Sequence, residues 1–330
     1  MMRIRSAGAY LALVVGMSVA MAGCERLGQI QAMKAFKDGN KMFATNDFRG
    51  AVRRYEDALA ADPNGTLNSC GDSPGCVYFY LANSYERLYR PARAGMPEND
   101  ELLTKAVANY KLASEKITNP LMKSRSLQYL VAAYGPDKLN DPTSAEPIIQ
   151  QMIQLEPKEP TNYFMLSRLY QDSGEYELAE QVLTQAQQAS PNSPDVYLQL
   201  ASFYNTQGDF PKTIQFLTER IKVEPNNPEA HYTVATYYWD KANRDFRLSD
   251  AEKMQMIQDG LVSVDKAIEI KSDYMEAIAY KNLLLRLQAN VEKSPAKQQA
   301  LLKEADRLRD MANDLRKKQQ EGAKAPAGTE

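Results

Sequence analysis

Histidine is nearly absent from this sequence: His231 is the only one in 330 residues, beside three cysteines and one tryptophan. One imidazole cannot supply a His-based metal site, so neither a metal nor another cofactor is expected. The sequence has no G-x-S-x-G, no phosphate-loop glycine pattern and no His-Glu-x-x-His, and an enzyme is not expected. Glycine is modest at 16 residues, too few to favour a turn-rich β fold. An excess of one charge is missing too. Lys and Arg number 40 against 42 Asp and Glu. Setting aside the segment 1–23, which holds Arg3 and Arg5 and no acid, tips the balance only slightly further toward acid. That balance gives no electrostatic case for nucleic acid. The apolar run at the start, Ala9 to Met21, is too short to span a bilayer comfortably.

What the chain has instead is repetition. From Pro160 to Asn227 one pattern occurs twice without a gap. The first copy is Pro160, Tyr163, Leu166-Ser167, Tyr170, Gly174, Ala179, Leu183, Ala186, Pro191. The second is Pro194, Tyr197, Leu200-Ala201, Tyr204, Gly208, Thr213, Leu217, Arg220, Pro225, with every landmark displaced by the same offset, that from Pro160 to Pro194. Counted from the first Pro, positions 4, 7, 8 and 11 share one helical face. Small residues at positions 8 and 20 mark where two helices cross closely. Gly174 and Gly208 supply the turn between them, and the Pro at position 32 ends the second helix. This period and pattern resemble the tetratricopeptide repeat, a helix–turn–helix unit that buries its apolar face only by stacking on neighbours.

The same landmarks run along most of the chain. Repeats start near residues 32, 75, 124, 160, 194, 228 and 274, and a capping helix carries Leu301, Ala305, Leu308, Ala312 and Leu315 on one face. The expected fold is therefore all-α, a right-handed solenoid of about seven repeats over residues 32–320, followed by a disordered tail at 321–330. Repeats two and six are longer than the pattern by about twelve and thirteen residues. The first insert carries Arg87, Arg90 and Arg93. The second carries Asp240, Arg244, Asp245 and Arg247, with a helix start at Ser249-Asp250-Ala251-Glu252.

Residues 1–23 read as an export signal, with Arg3 and Arg5 ahead of the apolar run. The segment ends Met21-Ala22-Gly23-Cys24, which resembles the bacterial lipobox, although Met21 departs from the usual Leu. The resemblance implies that Cys24 is lipidated and becomes the first mature residue. Residues 24–31 would then be a short linker. Glu25, in place of the Asp that retains some lipoproteins in the inner membrane, points to the outer membrane facing the periplasm. In an exported chain, Cys70 and Cys76 are expected to form a local disulfide. A redox pair is disfavoured by the C-x5-C spacing.

The tyrosines at position 11 (Tyr85, Tyr134, Tyr170, Tyr204, Tyr238) read as core, and His231 as a packed ring at an aromatic position. Glu175 and Glu177 read as a solvated turn rather than an acid/base pair. Positions 5, 9 and 12 face away from the core stripe, and in tetratricopeptide arrays that face is the concave one. The candidate protein-binding residues there are Phe36, Asn40, Phe79, Asn83, Phe164, Arg168, Gln171, Asn205, Tyr232 and Trp239. Rings would take side chains of an extended peptide or helix and amides would bond its backbone. The alternative is that the rings pack against neighbouring repeats or the long inserts. Phe36 stands where the chaperone-binding subtype has a Lys, so that subtype's function is not implied. The resemblance implies a lipid-anchored scaffold binding a protein in envelope assembly, secretion or pilus biogenesis. The rival is an enzyme or solute-binding protein with a site between the inserts of repeats two and six.

Overall fold

The computed structural model describes residues 27–63, 65–71 and 73–324. The signal segment 1–23, Cys24 and residues 325–330 lie outside them. The described chain is all-helical apart from one isolated bridge between Cys70 and Ser73. Seven helix pairs follow one another. They are α1 (27–44) with α2 (Phe48–Ala61), α3 (Cys76–Leu88) with α4 (Pro97–Lys116), and α5 (Pro120–Ala133) with α6 (Pro142–Leu155). Then come α7 (Pro160–Asp172) with α8 (Tyr176–Ala189), α9 (Pro194–Thr206) with α10 (Phe210–Val223), α11 (Pro228–Arg244) with α12 (Asp250–Ile270), and α13 (Met275–Val291) with α14 (Pro295–Lys324). Residues 27–31, expected as linker, are already helical, and α14 continues to Lys324, into the expected tail.

Local chemistry explains the boundaries. Pro160, Pro194 and Pro228 open α7, α9 and α11, where the missing N–H has no intrahelical partner to lose. Pro63, Pro157, Pro191 and Pro225 each stand two residues beyond a helix end. The intervening Asp62, Glu156, Ser190 and Glu224 share one non-helical cap conformation, and each donates its backbone N–H to the carbonyl four residues back. Between paired helices, Gly174 and Gly208 take φ of 79° and 76°, a conformation open to glycine at no steric cost.

The small positions are where helices touch. Ala82, Ser167, Ala201 and Ala235 at position 8, and Ala51, Ala106, Ala179 and Thr213 at position 20, are all fully buried. Leu127, Leu130, Leu183, Leu200 and Leu217 fill the space between. The chain divides into two compact units, residues 1–157 and 158–330. The first contains the helix pairs α1 to α6 and the second α7 to α14. Within each unit, helices pack on their partner and on the next pair.

Both inserts are absorbed locally. In repeat two, residues 89–96 form a loop with one 3-10 turn, Pro91–Arg93, and α4 is lengthened to 20 residues. In repeat six both helices grow, to 17 and 21 residues, joined by a short loop. Ser249 and Glu252 form a reciprocal capping box at the start of α12. No helix among the described residues is long and apolar enough to cross a membrane.

Candidate functional site

The strip at positions 5, 9 and 12 behaves differently in the first two helix pairs and in the second unit. In the first two pairs it is spent internally. Phe36 is 4% exposed, packed on Tyr55 and Tyr80. Phe43 packs edge-on to Phe48 and Tyr80. Phe79 is 5% exposed among Tyr80, Tyr110 and Tyr129. The amides are also committed. Asn40 Oδ1 accepts from the Tyr55 hydroxyl at 2.8 Å, and Asn83, buried, bonds the Tyr110 hydroxyl. Asn83 Oδ1 has no partner among the described residues. Glu86 takes a hydrogen bond from the Tyr110 hydroxyl and an ion pair from Lys138 Nζ at 2.6 Å. The structure thus places Phe36 and Phe79 among the chain's own rings, and sets the Asn40 and Asn83 amides against a tyrosine of their own helix pair. The physical reason is the surplus of neighbouring rings. Tyr80 and Tyr129, off the repeat's consensus, fold across the strip and close it.

In the second unit the strip stays accessible. Arg168 is exposed, its guanidinium paired with Asp172 of the next turn at 2.9 Å. Asn205 is exposed, and Phe164, Gln171, Leu198 and Ser202 are partly so. The Gln171 amide donates to Ser167 Oγ at 3.1 Å and to the Ser167 carbonyl at 3.3 Å. Tyr232 and Trp239 are half-buried, edge-on to Tyr280 of the next pair at 5.2 and 5.6 Å between ring centroids. Burial, then the neighbouring Tyr280 and Tyr274, push the Tyr232 hydroxyl up to about 12, so it is a neutral donor and acceptor at ordinary pH. Together these residues present rings, amides and one cation, which suits an extended backbone with apolar side chains.

Of the position-11 tyrosines read as core, Tyr85, Tyr134 and Tyr204 are buried and Tyr170 and Tyr238 partly so, and the sequence did not show their partners. Tyr85 donates to Glu56 and Tyr204 to Glu180, each a carboxylate on the preceding pair. The Lys212 ammonium lies 4.3 Å from the Tyr204 ring centroid. Two further residues were missed. Arg220, buried at a position that is alanine in most other repeats, reaches Glu224 at 2.6 Å and Glu229 of α11 at 3.5 Å. Lys138, in the loop after α5, ties repeat three to Glu86 of repeat two. The one available signal was their departure from the repeat pattern.

Elsewhere the chemistry is quiet. His231 is half-buried, its Nε2 3.1 Å from the Pro225 carbonyl. Glu175 and Glu177 are exposed. Cys70 and Cys76 are paired as a disulfide with Cα atoms 5.6 Å apart. In the second insert the charges form local pairs. Arg244 meets Asp240 at 2.7 Å, and Asp245 receives Arg247 at 2.8 Å and Lys241 at 2.9 Å. Those bonds from Arg247 and Lys241 hold the Asp245 carboxyl well below the usual carboxylate range.

Comparison with known proteins agrees with this architecture. A family model described as the tetratricopeptide repeat matches residues 171–237. No curated protein matches the sequence. Among solved structures, the C-terminal part of a TPR repeat-containing protein from Cytophaga hutchinsonii is similar at 15% identity and a TM-score of 0.53. The match covers 85% of this chain and 98% of that one. A tetratricopeptide repeat protein from Parabacteroides merdae is similar at 15% identity and a TM-score of 0.46, over 83% and 98% of the two chains. The MamA protein is similar at 19% identity and a TM-score of 0.42, over 66% and 98%. The chain thus has the all-α fold of tetratricopeptide-repeat solenoids, with the repeat itself recognised in residues 171–237.

Proposed function

We propose that this chain is a non-catalytic scaffold, anchored by a lipid on Cys24 to the outer membrane and facing the periplasm. It binds a protein partner of an envelope process such as assembly, secretion or pilus biogenesis. The observation that carries the proposal is the strip of the second unit. Phe164, Arg168, Gln171 and Asn205 keep accessible surface on the strip where the first two helix pairs bury Phe36, Phe79 and Asn83. An extended peptide or helix of the partner would lie along it, with apolar side chains against Phe164 and Leu198 and its backbone on the amides. The lipid anchor rests on the Met21-Ala22-Gly23-Cys24 pattern.

The test is site-specific photo-crosslinking in cells that express the full-length chain. A photoreactive residue at Arg168 or Asn205 is expected to yield one common protein adduct, absent when the probe is at exposed Glu177. Fatty-acid labelling is expected for the native chain and lost in Cys24→Ser. Identical adduct patterns at all three probe positions would reject the strip as the binding surface, and unlabelled native chain would reject the anchor.

A further inference from the structure

Away from the strip, the first insert builds a cavity that the proposed scaffold role does not use. Arg49 in the first turn of α2, Arg87 in the last turn of α3, Arg90 just before the 3-10 turn and Arg93 at its end all line one cavity of about 840 Å³. Arg49, Arg90 and Arg93 also line a second space of about 300 Å³ beside Met96 and Asn99. Four arginines and two acidic residues, Asp47 and Glu98, line these walls. Asp47 is occupied as the cap of α2, accepting from the Gly50 N–H at 2.9 Å. None of the four arginines has a carboxylate within 4.0 Å among the described residues. In the second unit, by contrast, Arg168, Arg220, Arg244 and Arg247 each have one.

The backbone carrying two of these arginines is held rigidly. Asn99, 5% exposed, accepts from the Arg90 N–H at 2.9 Å and donates to the carbonyls of Arg90 and Arg93 at 3.2 and 3.1 Å. Asp100 accepts from the Gly95 N–H at 2.9 Å. A buried amide is thus committed to fixing a surface loop whose side chains carry uncompensated charge. Pre-organisation of this kind lowers the ordering cost of a ligand.

We propose that this cavity binds a phosphate ester. A guanidinium fork pairs bidentately with carboxylate or phosphate. One carboxylate, with two oxygens and one charge, cannot engage four such forks, whereas a phosphoryl group offers more acceptor oxygens and up to two charges. Phe48, Leu88 and Ala92 form an apolar wall beside the arginines, suited to the organic part of the ester. The cavity's volume is in the range of small-ligand sites. The ester can come from a soluble metabolite or a phospholipid headgroup, since the chemistry is shared.

Isothermal titration of the full-length chain tests the site with two probes, inorganic pyrophosphate and monomeric dihexanoyl phosphatidic acid. Saturable binding is expected, weakened about tenfold or more in Arg87→Gln/Arg90→Gln. Arg125→Gln/Arg316→Gln makes the same charge change at exposed arginines elsewhere and should leave affinity within about twofold, as distant surface charges are screened. Tighter binding of the lipid than of pyrophosphate identifies a headgroup, and pyrophosphate binding as tight or tighter shows that the phosphoryl group alone suffices, as for a soluble ester. Equal weakening by both double variants would mean diffuse surface charge and overturn the proposal. So would the absence of saturable binding, or displacement of pyrophosphate by an oligoglutamate peptide at equal concentration. The photo-crosslinking outcome at Arg168 and Asn205 is independent of each of these.

Discussion

Gly39 and Tyr55 show how single residues set the repeat geometry. A Cβ on Gly39 would lie 2.6 Å from the Tyr55 ring. That ring is fully buried and its hydroxyl is tied to Asn40 at 2.8 Å, so it has nowhere to go. Two effects compete in Gly39→Ala. Helix propensity favours alanine by about 1 kcal/mol, while overpacking costs about 1–3 kcal/mol. Because the obstructing atoms belong to a locked ring, overpacking should win, and urea unfolding is expected to show a net loss of about 1–2 kcal/mol. A stabilised variant would mean that the Tyr55 ring can shift. At this scale the small positions were legible in the sequence because the demand for close approach recurs at one fixed period, as from Ser167 to Ala201 to Ala235. The fate of Phe36 and Phe79 was not. It depends on Tyr80 and Tyr129, which have no fixed place in the pattern and meet those rings only in space.

Helices and loops carry the next level. Helix ends followed from short-range chemistry: proline at the first position, proline two past the last, and the Ser249–Glu252 box. The segment between α2 and α3 depends on more distant contacts. It holds the Cys70–Cys76 disulfide, and buried Ser73 Oγ accepts from the backbone N–H groups of Thr118 at 2.9 Å and Asn119 at 3.1 Å, across the α4–α5 junction. Leu67 N–H donates to Asp62 at 2.7 Å. In the chain-entropy model so short a closed loop stabilises by about 2 kcal/mol. Cys70→Ser/Cys76→Ser should therefore lower stability by about that amount. Hydrogen exchange should quicken first at the Thr118 and Asn119 amides, which would lose their fixed acceptor. Unchanged exchange there would show that Ser73 stays docked without the bridge.

Across the whole molecule, buried tyrosines are the shared titratable feature of both units. Burial raises the hydroxyl pKa of Tyr55, Tyr85 and Tyr110 in the first unit and of Tyr204 and Tyr232 in the second, from an ordinary 10.0. Neighbouring carboxylates add to the shift at Tyr85, Tyr110 and Tyr204. A raised folded pKa means that the folded state keeps its proton longer than the unfolded chain does. The stabilising contribution is complete below pH 10 and is lost as pH rises through the unfolded value toward the folded one, about 12 for Tyr232. The melting temperature should hold up to about pH 9 and fall from about pH 10 upward, with tyrosinate absorbance appearing in step with unfolding. Tyr110→Phe should make the fall shallower. Tyrosinate appearing well before unfolding would contradict the burial argument.

The sequence alone determined the class of fold, the spacing of the helix pairs and most of their boundaries. These rest on interactions within one repeat: helical periodicity, caps, turns and small crossing positions, all written at fixed offsets along the chain. Only the tertiary structure decided which side chains of the fifth, ninth and twelfth positions remain free. Residues that fill or spare that strip come from other helices, such as Tyr129 of α5 and Lys138 beyond it. The arginine cavity was half legible for the same reason. Arg87, Arg90 and Arg93 stood out as an insert, but Arg49 joins them only because α2 packs against α3, bringing together residues about forty positions apart in sequence.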